Sequence, residues 1–166
     1  MCREDCPLDY HHVCLVVRDA DRTLRLFRDV MGFRVLVDRT IPDGGDYFDQ
    51  RTLDDIFKTP GASSRLVLLA SPSGAYLELE EPRVPSVQAT PAEGRRYGFT
   101  GIQELAFQVD DLDHWWNTIR GAGYETQTDY MWEVARGSRS FLFYDPDGNM
   151  IQLVEEPAGR GRPAGR

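Results

Sequence analysis

The chain is written twice, and that restricts what it can fold into more than any other feature of the sequence. His12-Val13-Cys14-Leu15-Val16-Val17-Arg18-Asp19-Ala20-Asp21 aligns without a gap on Glu104-Leu105-Ala106-Phe107-Gln108-Val109-Asp110-Asp111-Leu112-Asp113. In each copy an apolar run ends in aspartates, the pattern of a strand that leads into a capped helix. Phe27 through Gly32-Phe33 then matches Ile119 through Gly123-Tyr124 after one deletion, each a helix closed by glycine and followed by an aromatic residue. A third match closes the unit. Ser71-Pro72-Ser73-Gly74 leads into Tyr76-Leu77-Glu78-Leu79 just as Asp145-Pro146-Asp147-Gly148 leads into Met150-Ile151-Gln152-Leu153. Both read as turns between the last two strands.

The resulting expectation is an α+β chain of two tandem βαβββ modules, which together make a cupped mixed sheet. The first module spans 10–82, with strands at 10–17, 33–39, 65–70 and 75–81, a helix at 20–31 and a short helix near 51–58. The second spans 101–157, with strands at 102–109, 125–131, 139–144 and 149–155 and a helix at 111–122. Residues 1–9 form an extension and the proline-bearing 83–100 a linker. The Gly, Pro, Ala and Arg tail 158–166 has nothing to bury and reads as disordered. The segment from Asp43 to Ser64 has no counterpart in the second copy. Its Leu53, Ile56 and Phe57 could form the apolar side of a helix over the cup, or simply a packed loop.

Side chains alternate across a strand, so Val13, Leu15 and Val17 share the face that meets the helix stripe Leu24, Phe27 and Met31. The opposite face starts with His12. The duplication relates His12 to Glu104 and Glu78 to Gln152, which puts four polar, ligand-capable side chains on equivalent faces. Such a set can hold a divalent cation (Ni, Mn, Co, Zn or Fe) with positions left for a substrate. The other reading is the wet face of an antiparallel sheet, with no metal at all. The same faces supply Cys14, Tyr76, Glu80, Gln108 and Met150 as pocket candidates. Trp132 joins them from the end of a strand, while Trp116 falls on the stripe Leu112, Trp116, Ile119 of a helix core.

Composition narrows the partners. A formal charge of −8 repels phosphate backbones and argues against nucleic acid. No apolar run reaches the roughly 18 residues of a membrane span, and Met1 through Cys6 is too polar for a signal-peptide core, so the expectation is a cytoplasmic protein without a membrane partner. Three cysteines do not make a disulfide framework. Strand edges left open by two modules point to a homodimer.

Taken together, His12 followed by Asp19, Leu77-Glu78-Leu79, Leu105 through Asp113, and Asp145-Pro146-Asp147-Gly148-Asn149 through Leu153 resemble the vicinal oxygen chelate superfamily of glyoxalases, bleomycin-resistance proteins and extradiol dioxygenases. The resemblance covers about residues 10–157. It implies metal ligands at His12, Glu78, Glu104 and Gln152, where the commoner set is His, Glu or Gln, His and Glu. The departure at the third and fourth positions disfavours ring-cleaving iron dioxygenases, which use two histidines and one carboxylate. What remains is a metal-dependent isomerase, epimerase or lyase acting beside a carbonyl, with Glu78 as the first candidate base and Glu104 the second. No feature identifies a glutathione site. The alternative is a non-catalytic small-molecule binder of the drug-sequestering, bleomycin-resistance kind, to which the chain's aromatic residues would offer flat apolar surface. A metabolite cyclase working through shape and acid/base groups alone is a third, weaker reading.

Overall fold

The computed structural model describes residues 9–95, 97–133 and 137–157. The expected disorder of 158–166 and most of the extension 1–9 lie outside them. The chain divides after Gln88 into two compact units. In the first, β1 (His12–Val16) is followed by α1 (Ala20–Leu24), a widened π turn (Arg25–Val30), β2 (Arg34–Ile41), α2 (Gln50–Phe57), β3 (Ser63–Ala70) and β4 (Tyr76–Val84). The second has a 3₁₀ turn (Ala92–Arg95), β5 (Glu104–Gln108), α3 (Leu112–Gly121), β6 (Trp132–Glu133), β7 (Arg139–Tyr144) and β8 (Met150–Glu155). Each sheet has the same topology: order β1-β4-β3-β2 in one and β5-β8-β7-β6 in the other. The first strand of each runs parallel to the last, and the remaining pairs are antiparallel. Among the described residues no helix is long and apolar enough to cross a membrane.

The first core forms where the strand period meets the helix period. Leu24, Leu26, Phe27 and Met31 are buried, as are Val17, Leu69, Leu77 and Leu79 of the strand segments. Phe27 meets Phe33 edge-on at 5.3 Å. In the second unit Ile119, Phe141, Phe143, Ile151 and Leu153 are buried, and Trp116 stands edge-on to Phe141 at 5.1 Å. Trp116 is thus a packing residue. Burying each such side chain fully contributes about 1.5–3 kcal/mol before entropy is counted.

The duplication also preserves a clasp at each helix start. Asp19 accepts from the Arg22 amide (3.0 Å), and Asp111 from the His114 amide (2.9 Å). The next exposed-end amide is met by the closing strand: Ala20 N–H donates to Glu81 (3.1 Å) and Leu112 N–H to Glu155 (3.1 Å). An arginine on the neighbouring strand ties the cluster together. Arg65 donates to Asp21 (2.9 Å) and lies 3.9 Å from Glu81, while Arg139 donates to Asp113 (2.7 Å) and Glu155 (2.8 Å). Carboxylates belong there because the first amides of a helix have no intrahelical acceptor and carry partial positive charge.

The turns that close the two modules are equivalent as well. Gly74 (φ +91°) and Gly148 (φ +84°) take the left-handed conformation that a side chain disfavours. Ser71 Oγ accepts from Ala75 N–H in one turn, and Asp145 Oδ1 accepts from Asn149 N–H in the other.

Three departures from the expected boundaries exceed two residues. The helix expected over 20–31 is α-helical only to Leu24. From there the hydrogen bonding widens, as where Met31 N–H donates to Leu26 C=O (2.9 Å). The strand expected over 125–131 pairs only at its start, through Glu125, Thr126 and Gln127. Beyond that, Thr126 Oγ1 donates to Thr128 C=O and Thr128 Oγ1 to Tyr130 C=O, so local hydroxyl bonds bend the chain in place of a ladder. Finally, β4 runs on to Val84, so the first residues expected of the linker are strand.

Candidate functional site

The register of the first sheet fixes what its outer face presents. Cys14 lies opposite Glu78 and Val16 opposite Glu80 on the parallel β1–β4 pair, and Leu68 and Leu66 flank the same glutamates from β3. This face floors a cavity of about 480 Å³. His12, Cys14, Glu78 and Glu80 supply its polar atoms; Val16, Ile41, Leu66, Pro82 and Pro85 continue the floor and rim. The segment without a counterpart supplies the wall. Phe48, Leu53, Ile56 and Phe57 line it.

That wall is anchored. Leu53 is buried with Ile41, Ala62 and Leu66, and Asp49 caps α2 by accepting from the Thr52 amide (2.7 Å). Asp54 accepts from the Ala62 amide (2.9 Å), and Asp43 gathers the amides of Tyr47 and Phe48 and the guanidinium of Arg39. Of the expected apolar side of the helix, Leu53 and Phe57 both belong to that core and line the cavity, while Ile56 lines it from an exposed position.

The electrostatics of the floor differ residue by residue. His12 Nε2 lies 3.9 Å from Glu78 Oε1, and its other ring nitrogen is 2.6 Å from His11 Nδ1, so one imidazole must donate to the other. Glu80 is only 6% exposed, and burial pushes its carboxyl up to about 7 despite a hydrogen bond from Ser64. Its Oε1 is buried with no hydrogen-bond partner. Cys14 opens onto the cavity. Desolvation within the cup, and then the neighbouring carboxylates of Glu78 and Glu80, push its thiol up to about 12. A thiol so held stays protonated and is a poor nucleophile.

The structure brings His12, Cys14, Glu78 and Glu80 together. Tyr76 is on the same face of β4 but outside the cavity lining, with its ring 5.6 Å from that of His11. Glu104, Gln108, Trp132, Met150 and Gln152 belong to the second unit. There the Tyr97 hydroxyl donates to Glu104 Oε2, and Met150 is buried. Gln108 is exposed at the end of β5, while Trp132 and Gln152 are half-buried. The apolar lining was harder to foresee. Ile41 and Leu66 share the Glu80 face only through strand register, and Pro82 and Pro85 read as linker punctuation.

A model of the family described as "Glyoxalase/Bleomycin resistance protein/Dioxygenase superfamily" matches residues 9–153. The chain belongs to that superfamily. Its fold is that of a glyoxalase family protein from Bacillus cereus, at 18% identity over 94% of this chain and 99% of the other, with a TM-score of 0.76. A glyoxalase/dioxygenase from Nostoc punctiforme matches at 23% identity, 89% and 90% coverage and a TM-score of 0.59. The genomically encoded fosfomycin resistance protein FosX from Listeria monocytogenes, in a complex with Mn(II) and sulfate, matches at 16%, 92% and 95%, and 0.58. A search of curated proteins gave no match.

Because one of the similar structures is a complex with Mn(II), the donor set must be tested against a cation. At metal–ligand distances of about 2.0–2.2 Å, two tetrahedral ligand atoms lie roughly 3.4 Å apart. The 3.9 Å between His12 Nε2 and Glu78 Oε1 is within a small side-chain rotation of that separation. Two donors are fewer than the three protein ligands of an open catalytic centre. Among the described residues no three His, Cys, Asp or Glu side chains converge as a metal cluster.

Proposed function

We propose that the chain is a small-molecule-binding member of the superfamily that takes a largely apolar ligand into the cup of its first unit. The observation that carries this reading is the cavity itself, about 480 Å³ with aliphatic and aromatic walls and its few polar groups confined to one floor. Ligand sites generally have that size and that division of labour. A screen of apolar aromatic molecules by thermal shift and calorimetry tests it. Ile56 is exposed at the cavity edge, so Ile56→Arg should leave the unfolding midpoint within a degree or two but weaken any hit by about 10-fold or more. Hits that bind Ile56→Arg as well as wild type would place the ligand elsewhere.

The His12–Glu78 pair favours a second reading, a metal-dependent isomerase, epimerase or lyase. Its ligand set would be His12, Glu78, Glu104 and Gln152. A bound divalent metal would polarise a carbonyl and stabilise the enolate beside it, with Glu78, or failing that Glu104, moving the proton. Elemental analysis of protein purified without chelator, followed by titration with Mn, Co, Ni, Zn and Fe, distinguishes the two. Stoichiometric uptake that is lost in His12→Ala supports the metalloenzyme; no uptake leaves the binding reading.

A further inference from the structure

Glu80 is a side chain of the cavity whose presence the fold does not explain. It is 6% exposed, flanked on the neighbouring strands by Val16 and Leu66, and its Oε1 has no hydrogen-bond partner. A buried carboxyl without a full complement of donors costs stability, so packing alone gives no reason for an acid there. The second copy makes the same point independently. The equivalent of Glu80 on β8 is Val154, which lies opposite Gln108 and Ser140 in the same register. The repeat itself therefore does not require an acid at this position.

We propose that Glu80 is the recognition residue of the cavity, its free oxygen receiving a protonated amine carried by an otherwise apolar ligand. The inference rests on the first unit's cup being a small-molecule site and names the class of molecule it takes. The orphaned Oε1 requires a hydrogen-bond donor. Charge selects an ammonium over a hydroxyl, because Glu78 and Glu80 both line the cavity and, among the described residues, no lysine or arginine does; the remaining basic group of the lining, His12, lies 3.9 Å from Glu78. Arg39, which flanks Leu66 from β2 as Glu80 does from β4, is paired with Asp43 at 2.6 Å through Nη1 and stacked on Tyr47; its Nε is buried with no hydrogen-bond partner, and the residue is not part of the cavity lining. The apolar walls take up the body of the ligand.

The test compares three matched probes on the full chain by calorimetry at pH 8: naphthylethylammonium, its alcohol naphthylethanol, and the carboxylate naphthylpropanoate. The ammonium should bind about 10-fold or more tighter than the alcohol, as a charge-assisted hydrogen bond implies, and the carboxylate weakest of all. Glu80→Gln keeps the shape and Glu80→Val installs the residue of the second repeat. Both should erase the ammonium preference while keeping alcohol affinity within about 3-fold. Equal binding of ammonium and alcohol by wild type, or a preference that survives Glu80→Val, overturns the assignment of Glu80 and leaves the cavity reading intact. Failure of all three probes to bind overturns the cavity reading and this inference with it. Should Glu80→Val not fold, Glu80→Gln and the wild-type probe series decide the matter.

Discussion

At the scale of single residues, the floor of the cup places chemistry where stability would prefer hydrocarbon. Replacing the desolvated Glu80 carboxyl by the valine of the second repeat should stabilise the chelator-treated protein, and by an amount that depends on pH. The folded carboxyl is raised to about 7 from the 4.5 of a free glutamate. Below about pH 4.5 it is neutral in both states and costs little. As pH rises through the window from 4.5 to 7 the unfolded chain ionises first, so wild-type stability falls relative to Glu80→Val by on the order of 3 kcal/mol, levelling off above 7. Urea unfolding of both proteins across that range measures it, and a constant difference would refute the account. Cys14 makes a second residue-scale prediction. With its thiol at about 12, alkylation at pH 8.5 followed by peptide mass spectrometry should be on the order of 100-fold slower in the folded protein than in urea.

At the scale of elements, the helix-start clasps bind each helix to the last strand of its own sheet. Ala20 and Leu112 are fully buried, and their amides have Glu81 and Glu155 as acceptors. Glu81→Ala and Glu155→Ala should each cost about 1–3 kcal/mol by stranding a buried amide, more than the exposed part of the arginine ion pairs could contribute. Denaturant unfolding gives the comparison. Similar losses in the two variants would show that the repeat shares one device, and losses below about 0.5 kcal/mol would show that the amides find other partners. The wall of the cavity is held on the same principle: Asp43, Asp49 and Asp54 each satisfy backbone amides, so α2 is fixed by acceptors as well as by Leu53.

At the scale of the whole molecule, each sheet ends in two edge strands, β1 and β2 in the first and β5 and β6 in the second. Exposed edges carry unpaired amides and carbonyls that a second copy can cover. The protein is accordingly expected to be a homodimer, and sedimentation at micromolar concentration checks it. A monomer at every concentration tested would show that the edges are protected within one chain.

The sequence by itself determined the repeat, and with it the βαβββ order, the apolar faces, the helix caps at Asp19 and Asp111 and the turns at Gly74 and Gly148. Each of these rests on contacts within a few residues or on the strict period of a strand, and both are legible along the chain. The same period put His12 and Glu78 each on the strand face away from the helix, but their approach to 3.9 Å was decided by the β1–β4 register. Tertiary structure decided what register and burial decide. Leu66 joins the floor because β3 aligns it with Glu80, Ile41 because β2 and β3 align it with Ser64 and Pro82, and the bend after Thr126 arises from hydroxyl bonds that outcompete a ladder. Glu80 looked like one more alternating polar residue beside Glu78. Its isolation, and the shift of its carboxyl, come from neighbours on other strands that close around it, and a linear chain has no such neighbours until it folds.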